Sequence, residues 1–188
     1  MRRIVFYCLL LIYHITFLII DYCFIKTSGI MIFARDDDSA RGLCKAWREG
    51  EHVHKTYLAR VKYWPMLSEQ GEIDLSLSPS NEGIKWKVDP HGKCCKTLWK
   101  VKSRQQGSVI LQLTPLTGRT HQLRIHCAEV GGGIIGDSLY GNGEPVTLTD
   151  PMDPNATKLC LHAHTLSLPH PRTGTQMKFT CSPDWLPE

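Results

Sequence analysis

The sequence predicts an α+β fold with a largely antiparallel sheet. One stretch near residue 40 repeats apolar residues at helical spacing. Several later stretches alternate in polarity around turns that carry Gly or Pro. No internal repeat or low-complexity segment interrupts them. A length of 188 residues suits one globular domain with a real core. The charge balance, 22 Lys and Arg against 18 Asp and Glu with nine His besides, permits an anionic partner without demanding one. Eight cysteines (8, 23, 44, 94, 95, 127, 160, 181) form no C-x-x-C pair, which reads as reduced, mostly buried thiols in an intracellular protein.

Taken in order, the chain opens with "MRRIVFYCLLLIYHITFLII", two arginines before an apolar run from Ile4 to Ile20 broken only by His14 and Thr16. A membrane-spanning helix needs roughly 20 apolar residues, so the run is borderline for a span or signal-anchor. Its Phe, Ile, Leu and Tyr bias also fits a translated non-coding stretch, so that residues 1–26 stand apart as a segment foreign to the domain of residues 27–188. "SGIMIFAR" then reads as one buried strand. In "DDDSARGLCKAWREGE", Ala40, Leu43, Cys44 and Trp47 share a helix face, with Asp38 or Ser39 as cap and Gly50 at the end. Arg41, Lys45 and Arg48 lie off that face and read as solvated surface. "KTYLARVKYW" alternates as a strand, with Tyr57, Ala59, Val61 and Tyr63 on one face. Residues 64–92 read as loop with a few short strands. Two hairpins follow, one turning at Gln105-Gln106-Gly107 and one between Pro169 and Gly174.

The densest chemistry lies in "LTPLTGRTHQLRIHCAEVGGGIIGDSLYG". A helix over about 120–130 would bury Leu123, Cys127 and Val130. Arg119, His121 and Arg124 would then crowd its first turns, where free N–H groups and the helix dipole already favour an anion. That anion is a carboxylate from elsewhere in the chain or a phosphate. The Gly131–Gly133 stretch and the Gly136-Asp137 turn close behind it.

This stretch closely resembles the signature of the RluA-like RNA pseudouridine synthases, G-R-[ST]-H-Q-L-R-[VI]-H followed by [IV]-[IVL]-G-D-x-x-Y-G. Agreement continues through "KTYLARV", "LCLHAHTLSLPHPRTG" and "TSGIMIFAR", spanning residues 27–185. The resemblance implies the catalytic domain of an isomerase that turns uridine in rRNA or tRNA into pseudouridine, with neither cofactor nor metal. It implies a monomer in the cytoplasm or a mitochondrion, membrane-anchored only if residues 4–20 belong to it. Arg124 matches the arginine that pairs with the catalytic aspartate, and Tyr57 the active-site tyrosine that contacts the base and takes the C5 proton. Lys55, Arg119, His121 and Gln122 are the expected RNA contacts. At residues 131–133 Gly-Gly-Gly stands where the family has Gly-His-Pro, a change expected to alter one turn.

The family nucleophile lies in H-R-L-D-x-x-T-S-G. Aligned without gaps on Thr27-Ser28-Gly29, that position is Phe24, which is no nucleophile, and Asp21 lies three residues early. Neither "HRL" nor the strand segment "VVNKPxG" precedes it, so the domain reads as N-terminally truncated. Three readings follow: the opening segment is not native, the chain is an inactive RNA-binding remnant, or Asp21 reaches the site across an insertion. A metal centre is the rival of another class, since His162 and His164 share a strand face and His121, His126 and Cys127 lie elsewhere. No third ligand falls at a familiar interval, so no metal is expected.

Overall fold

The computed structural model describes residues 27–141 and 158–186, together with the backbone of Leu18–Ile19. Asp21, Phe24 and the apolar run up to Phe17 lie outside the described residues. In chain order the elements are β1 (Leu18–Ile19), β2 (Ser28–Gly29), β3 (Phe33–Ala34), α1 (Asp37–Glu49), β4 (His54–Val61), β5 (Gln70–Asp74) and β6 (Leu77–Pro79). Then come β7 (Trp86–Val88), β8 (Lys96–Gln105), β9 (Ser108–Pro115), α2 (Gln122–Glu129), β10 (Leu161–Pro169) and β11 (Gln176–Thr180). The chain divides into two compact units, one running from Tyr57 to Leu161 and the other combining the chain up to Thr56 with the chain from His162.

In the unit formed by the two ends of the chain, β2 runs parallel to β10, and β11 is antiparallel to β10. The single strand expected over residues 28–35 is instead two short ones. Gly29 has φ +105, and a Cβ there would overlap the backbone of Ala163, so only glycine lets β2 approach β10 so closely. The chain leaves the ladder at that bend and re-enters extended structure at β3, which pairs antiparallel with β1.

The α1 stripe emerges as the spacing predicts. Ala40 and Leu43 are buried with Leu166 and Leu168, and Trp47 packs against them half-buried. Its cap is Asp36 rather than Asp38 or Ser39: the Asp36 carboxylate accepts the Ser39 N–H at 2.7 Å, while Asp37 and Asp38 fill the first turn and favour the helix dipole. Gly50 ends the helix in the left-handed conformation, φ 72. Arg41, Lys45 and Arg48 are exposed.

Within Tyr57–Leu161 the strands lie in the antiparallel order β4-β9-β8-β5, with a separate β6–β7 hairpin. The β8–β9 hairpin turns at Gln106-Gly107, Gly107 supplying φ 75. Ile110, Leu111 and Leu113 of β9 are fully buried, which marks it as the central strand of this sheet. Cys44, Cys94, Cys95 and Cys127 are free thiols. Burial pushes the Cys127 thiol up to about 12, which leaves it inert.

Hydrogen bonds account for His162 and His164. Nε2 of His162 donates to the Cys181 carbonyl at 3.1 Å, so its Nδ1 accepts from the Ser28 hydroxyl at 2.8 Å. His164 donates from Nδ1 to the same carbonyl at 2.6 Å. Among the described residues no group of three or more His, Cys, Asp or Glu could hold a metal ion, and no helix is long and apolar enough to cross a membrane.

Burial lowers the pKa of His162, and lowers that of His126, whose Nε2 donates to the Leu75 carbonyl at 3.1 Å. The unfolded chain protonates these imidazoles near the ordinary value of about 6.5, before the folded chain does. Stability is therefore expected to be complete above that value and to fall as pH drops through the depressed folded values. Urea midpoints that stay level from pH 7 to pH 5.5 would contradict this.

Candidate active site

Where the β9 strand ends, the chain must turn back into α2, and one side chain holds that turn. The Gln122 carboxamide donates from Nε2 to the Lys96 carbonyl and to Thr97 Oγ1, both at 3.0 Å. Its Oε1 accepts the Arg119 N–H at 3.0 Å and the Thr117 hydroxyl at 2.7 Å. Thr117 Oγ1 in turn accepts the Lys96 N–H at 3.1 Å. Gln122 is thus fully satisfied and only 3% exposed. The sequence placed it among the RNA contacts, yet the structure has it sewing the 117–121 loop to the start of β8.

α2 begins two residues later than expected because its N-cap, His121, is left-handed, with φ 57 and ψ 13. It is the one non-glycine residue with positive φ among the described residues. Such a conformation costs of order 1–3 kcal/mol and persists only where the surroundings impose it. Those surroundings are visible. His121 is 6% exposed, its ring packs edge-on to Tyr140 at 5.3 Å, and its Nδ1 lies 2.7 Å from the Tyr140 hydroxyl. That hydroxyl accepts the Trp86 N–H at 2.9 Å, so its own proton is free to go to His121 Nδ1. Burial, then the neighbouring Arg124 charge, lower the His121 pKa in the same sense, and burial raises that of Tyr140.

The α2 helix is buried almost all round, Gln122 to Cys127 without a break, so no single stripe of Leu123, Cys127 and Val130 defines it. Arg124 is part of that buried run. Its Nε donates to Asp137 Oδ2 at 2.8 Å and its Nη2 to Asp137 Oδ1 at 2.6 Å, with the two side chains 5% and 1% exposed. Oδ1 also accepts the N–H groups of Leu139 and Tyr140 at 2.9 and 3.0 Å. The Tyr140 ring lies under the guanidinium, 5.2 Å from its carbon. Burial alone would raise the Asp137 pKa, but the Arg124 hydrogen bond and the Tyr140 and Leu139 N–H groups hold it below the usual value. Arg124 Nη1 makes no hydrogen bond among the described residues, so this nitrogen is available to a second carboxylate.

Asp137 cannot itself be the attacking group. Both of its oxygens are engaged and its side chain is sealed from solvent. The Gly136-Asp137 turn is legible in the sequence as a boundary of the site, whereas Asp137 as the partner of Arg124 is not. The signal that would have found it is G-D-x-x-Y itself, whose aspartate and tyrosine are the two residues that grip the arginine. The turn comes back to the sheet through backbone bonds: Ile135 donates to the Arg60 carbonyl, Cys160 to Ile135, and Val61 bridges Ile134.

Tyr57 is half-buried on β4, opposite Leu113 of β9. Lys55 is half-buried on the same strand, and Arg119 is exposed at the entrance to α2. Asp21 lies outside the described residues. At the Gly-Gly-Gly stretch, a Cβ on Gly132 would overlap the Trp64 ring and crowd the Tyr63 carbonyl, whereas one on Gly133 meets nothing nearer than 3.7 Å. The indole of Trp64, 2% exposed, fills the space that a histidine at residue 132 would need.

Comparison with known proteins identifies the family. The family described as RNA pseudouridylate synthase matches residues 25–129. The dual-specificity RNA pseudouridine synthase RluA of Yersinia pestis is 36% identical over 168 residues, covering 85% of this chain and 74% of that protein. The RluA of Vibrio cholerae is 30% identical over 187 residues, covering 90% and 70%. Among solved structures, human RNA Pseudouridylate Synthase Domain Containing 1 superposes with a TM-score of 0.70 at 26% identity, covering 86% of this chain and 67% of that one. The chain belongs to the RluA-like RNA pseudouridylate synthase family.

Proposed function

We propose that this chain isomerises uridine to pseudouridine in structured RNA, ribosomal or transfer RNA, and that residues 27–188 form the catalytic domain. The observation that carries the proposal is the buried Arg124, held by two nitrogens with the third unbonded among the described residues, in a chain whose family performs this reaction. A carboxylate starts the reaction at ribose C1′. The C1′–N1 bond breaks, the uracil turns, C1′ bonds to C5, and the C5 proton leaves as N1 gains one. Substrate and product are isomers, so the overall balance needs no oxidant, reductant or second substrate. The target base must leave its stack for these atoms to be reached.

In this reading Arg124 Nη1 is the nitrogen offered to the reacting carboxylate; on sequence alone Asp21, three residues before the family position that Phe24 occupies, is the candidate to supply one. Tyr57 contacts the uracil and accepts the C5 proton. Arg119 and Lys55 meet phosphates. His121 and Gln122, both buried, shape the loop that presents Arg119.

The test is to incubate the protein with uridine-containing ribosomal and transfer RNA, digest the RNA to nucleosides and separate pseudouridine from uridine by chromatography. New pseudouridine in either RNA supports the proposal; none in both, with RNA still bound, would leave a binding protein. Where conversion occurs, Tyr57→Phe is expected to lower kcat by about 10²–10⁴-fold, the range for loss of a positioned proton acceptor, with RNA affinity little changed. A kcat within three-fold of the unsubstituted protein (roughly 0.7 kcal/mol in barrier) would remove Tyr57 from proton transfer.

A further inference from the structure

An arginine reaching for a carboxylate has a long side chain with several rotamers, and its usefulness depends on which nitrogen it offers and at what angle. Arg124 has had that freedom removed. Asp137 engages Nε and Nη2 as a two-point fork, and the carboxylate is itself fixed by the Leu139 and Tyr140 N–H groups. Tyr140 closes one face of the guanidinium plane. Its hydroxyl is pinned by the Trp86 N–H at the start of β7 and by His121 at the start of α2. Two separate stretches of chain, β7 and the first turn of α2, therefore converge on one phenol ring, and that ring and Asp137 settle where Nη1 points. A buried ion pair contributes little to stability compared with apolar residues of the same volume, so stability alone does not explain why one is kept here.

We propose that Asp137 and Tyr140 are positioning residues for isomerisation, locking the Arg124 guanidinium so that Nη1 is the nitrogen offered to the reacting carboxylate. The proposal rests on the reading above, in which Arg124 meets that carboxylate. Neither residue touches substrate; both act through Arg124.

The test uses the full chain carrying Asp137→Asn or Tyr140→Phe, with kcat and KM for pseudouridine formation measured separately. A second readout is the ¹⁵N–¹H signal of Arg124 Nε, assigned by its loss in Arg124→Lys. Asp137→Asn is expected to lower kcat by roughly 100-fold, the scale of an ångström's misplacement, with KM changed less than about three-fold. The Nε proton, slow to exchange in the unsubstituted protein, should become fast. Tyr140→Phe keeps the ring and loses only the hydroxyl, and should lower kcat about ten-fold with the Nε signal retained. Asp137→Asn at undiminished kcat, or with the Nε signal unchanged, overturns the proposal. If the unsubstituted chain converts no uridine, the functional reading fails on its own and the Nε signal alone decides: its loss in folded Asp137→Asn supports locking, its persistence overturns it. Should Asp137→Asn not fold, Tyr140→Phe decides, and full kcat there overturns the proposal.

Discussion

Arg124→Met is expected to destabilise the protein by about 3–5 kcal/mol and to abolish uridine conversion. The size follows from what is left behind. Asp137, with a side chain 1% exposed, would keep its two backbone N–H donors and lose both guanidinium bonds. An uncompensated buried carboxylate is the costly outcome, more so than the loss of the pair as such. The sign of the pH dependence then inverts. In the unsubstituted protein the Asp137 pKa is held low, so its stabilising contribution is present above the unfolded value near 4 and is lost as pH falls through the folded one. In Arg124→Met, burial acts without the arginine and raises that pKa, so the folded state takes up a proton first and gains relative stability on acidification. The deficit measured by urea unfolding should therefore shrink between pH 7 and pH 4.5, and Arg124→Met with Asp137→Asn should be less unstable than Arg124→Met alone. A deficit below 1 kcal/mol at pH 7 (about 1.4 kcal/mol per pKa unit) would mean that the pair is not buried as described.

Gly136→Ala is expected to cost more than about 4 kcal/mol, enough to prevent the Tyr57–Leu161 unit from folding. Two effects add. Gly136 sits at φ +76, where an alanine is strained by about 1 kcal/mol. Its Cβ would also overlap the Lys158 carbonyl and press on the Leu159 nitrogen. Those atoms cannot retreat, because Cys160 donates to the Ile135 carbonyl at 2.8 Å and accepts from Arg60 at 3.0 Å. Gly83→Ala supplies the control: φ there is +59, but an added Cβ meets nothing within 4 Å. It should cost only the strain, about 1 kcal/mol. Thermal melts of the two variants by circular dichroism separate the effects, and equal losses would show that the overlap relaxes.

These residues also show what a sequence can reveal of such a site. The α1 stripe, the Gln106-Gly107 turn and the Pro169–Gly174 turn were legible, because each depends on residues close together in the chain. The family signature pointed to Arg124 and to its surroundings. What was not legible depends on tertiary contact. The strand break after Gly29 reflects how closely β2 approaches β10, which no local pattern encodes. The start of α2 was misplaced because His121 takes a left-handed conformation imposed by Tyr140 and the fold around it. Periodicity failed on α2 itself, since a helix buried on every side has no stripe to read. Gln122 looked like a polar residue in a binding motif, and only the positions of Lys96, Thr97 and Thr117 show that its carboxamide is fully used. Asp137 lies 13 residues beyond Arg124, outside any helical spacing, and only the returning turn makes them partners.

The proposed reaction breaks and remakes the bond between uracil and ribose, with a carboxylate as the initiating group. Its most direct test is release of tritium from RNA carrying tritium at uridine C5, since the C5 hydrogen leaves only if C5 becomes bonded to the sugar. The measurement pairs the unsubstituted protein with Asp21→Ala, under single turnover and with RNA binding followed alongside. Time-dependent release by the first and none by the second is expected at equal RNA occupancy. No release by the unsubstituted protein while RNA remains bound would contradict it, and release unchanged in Asp21→Ala would take the nucleophile's role away from Asp21.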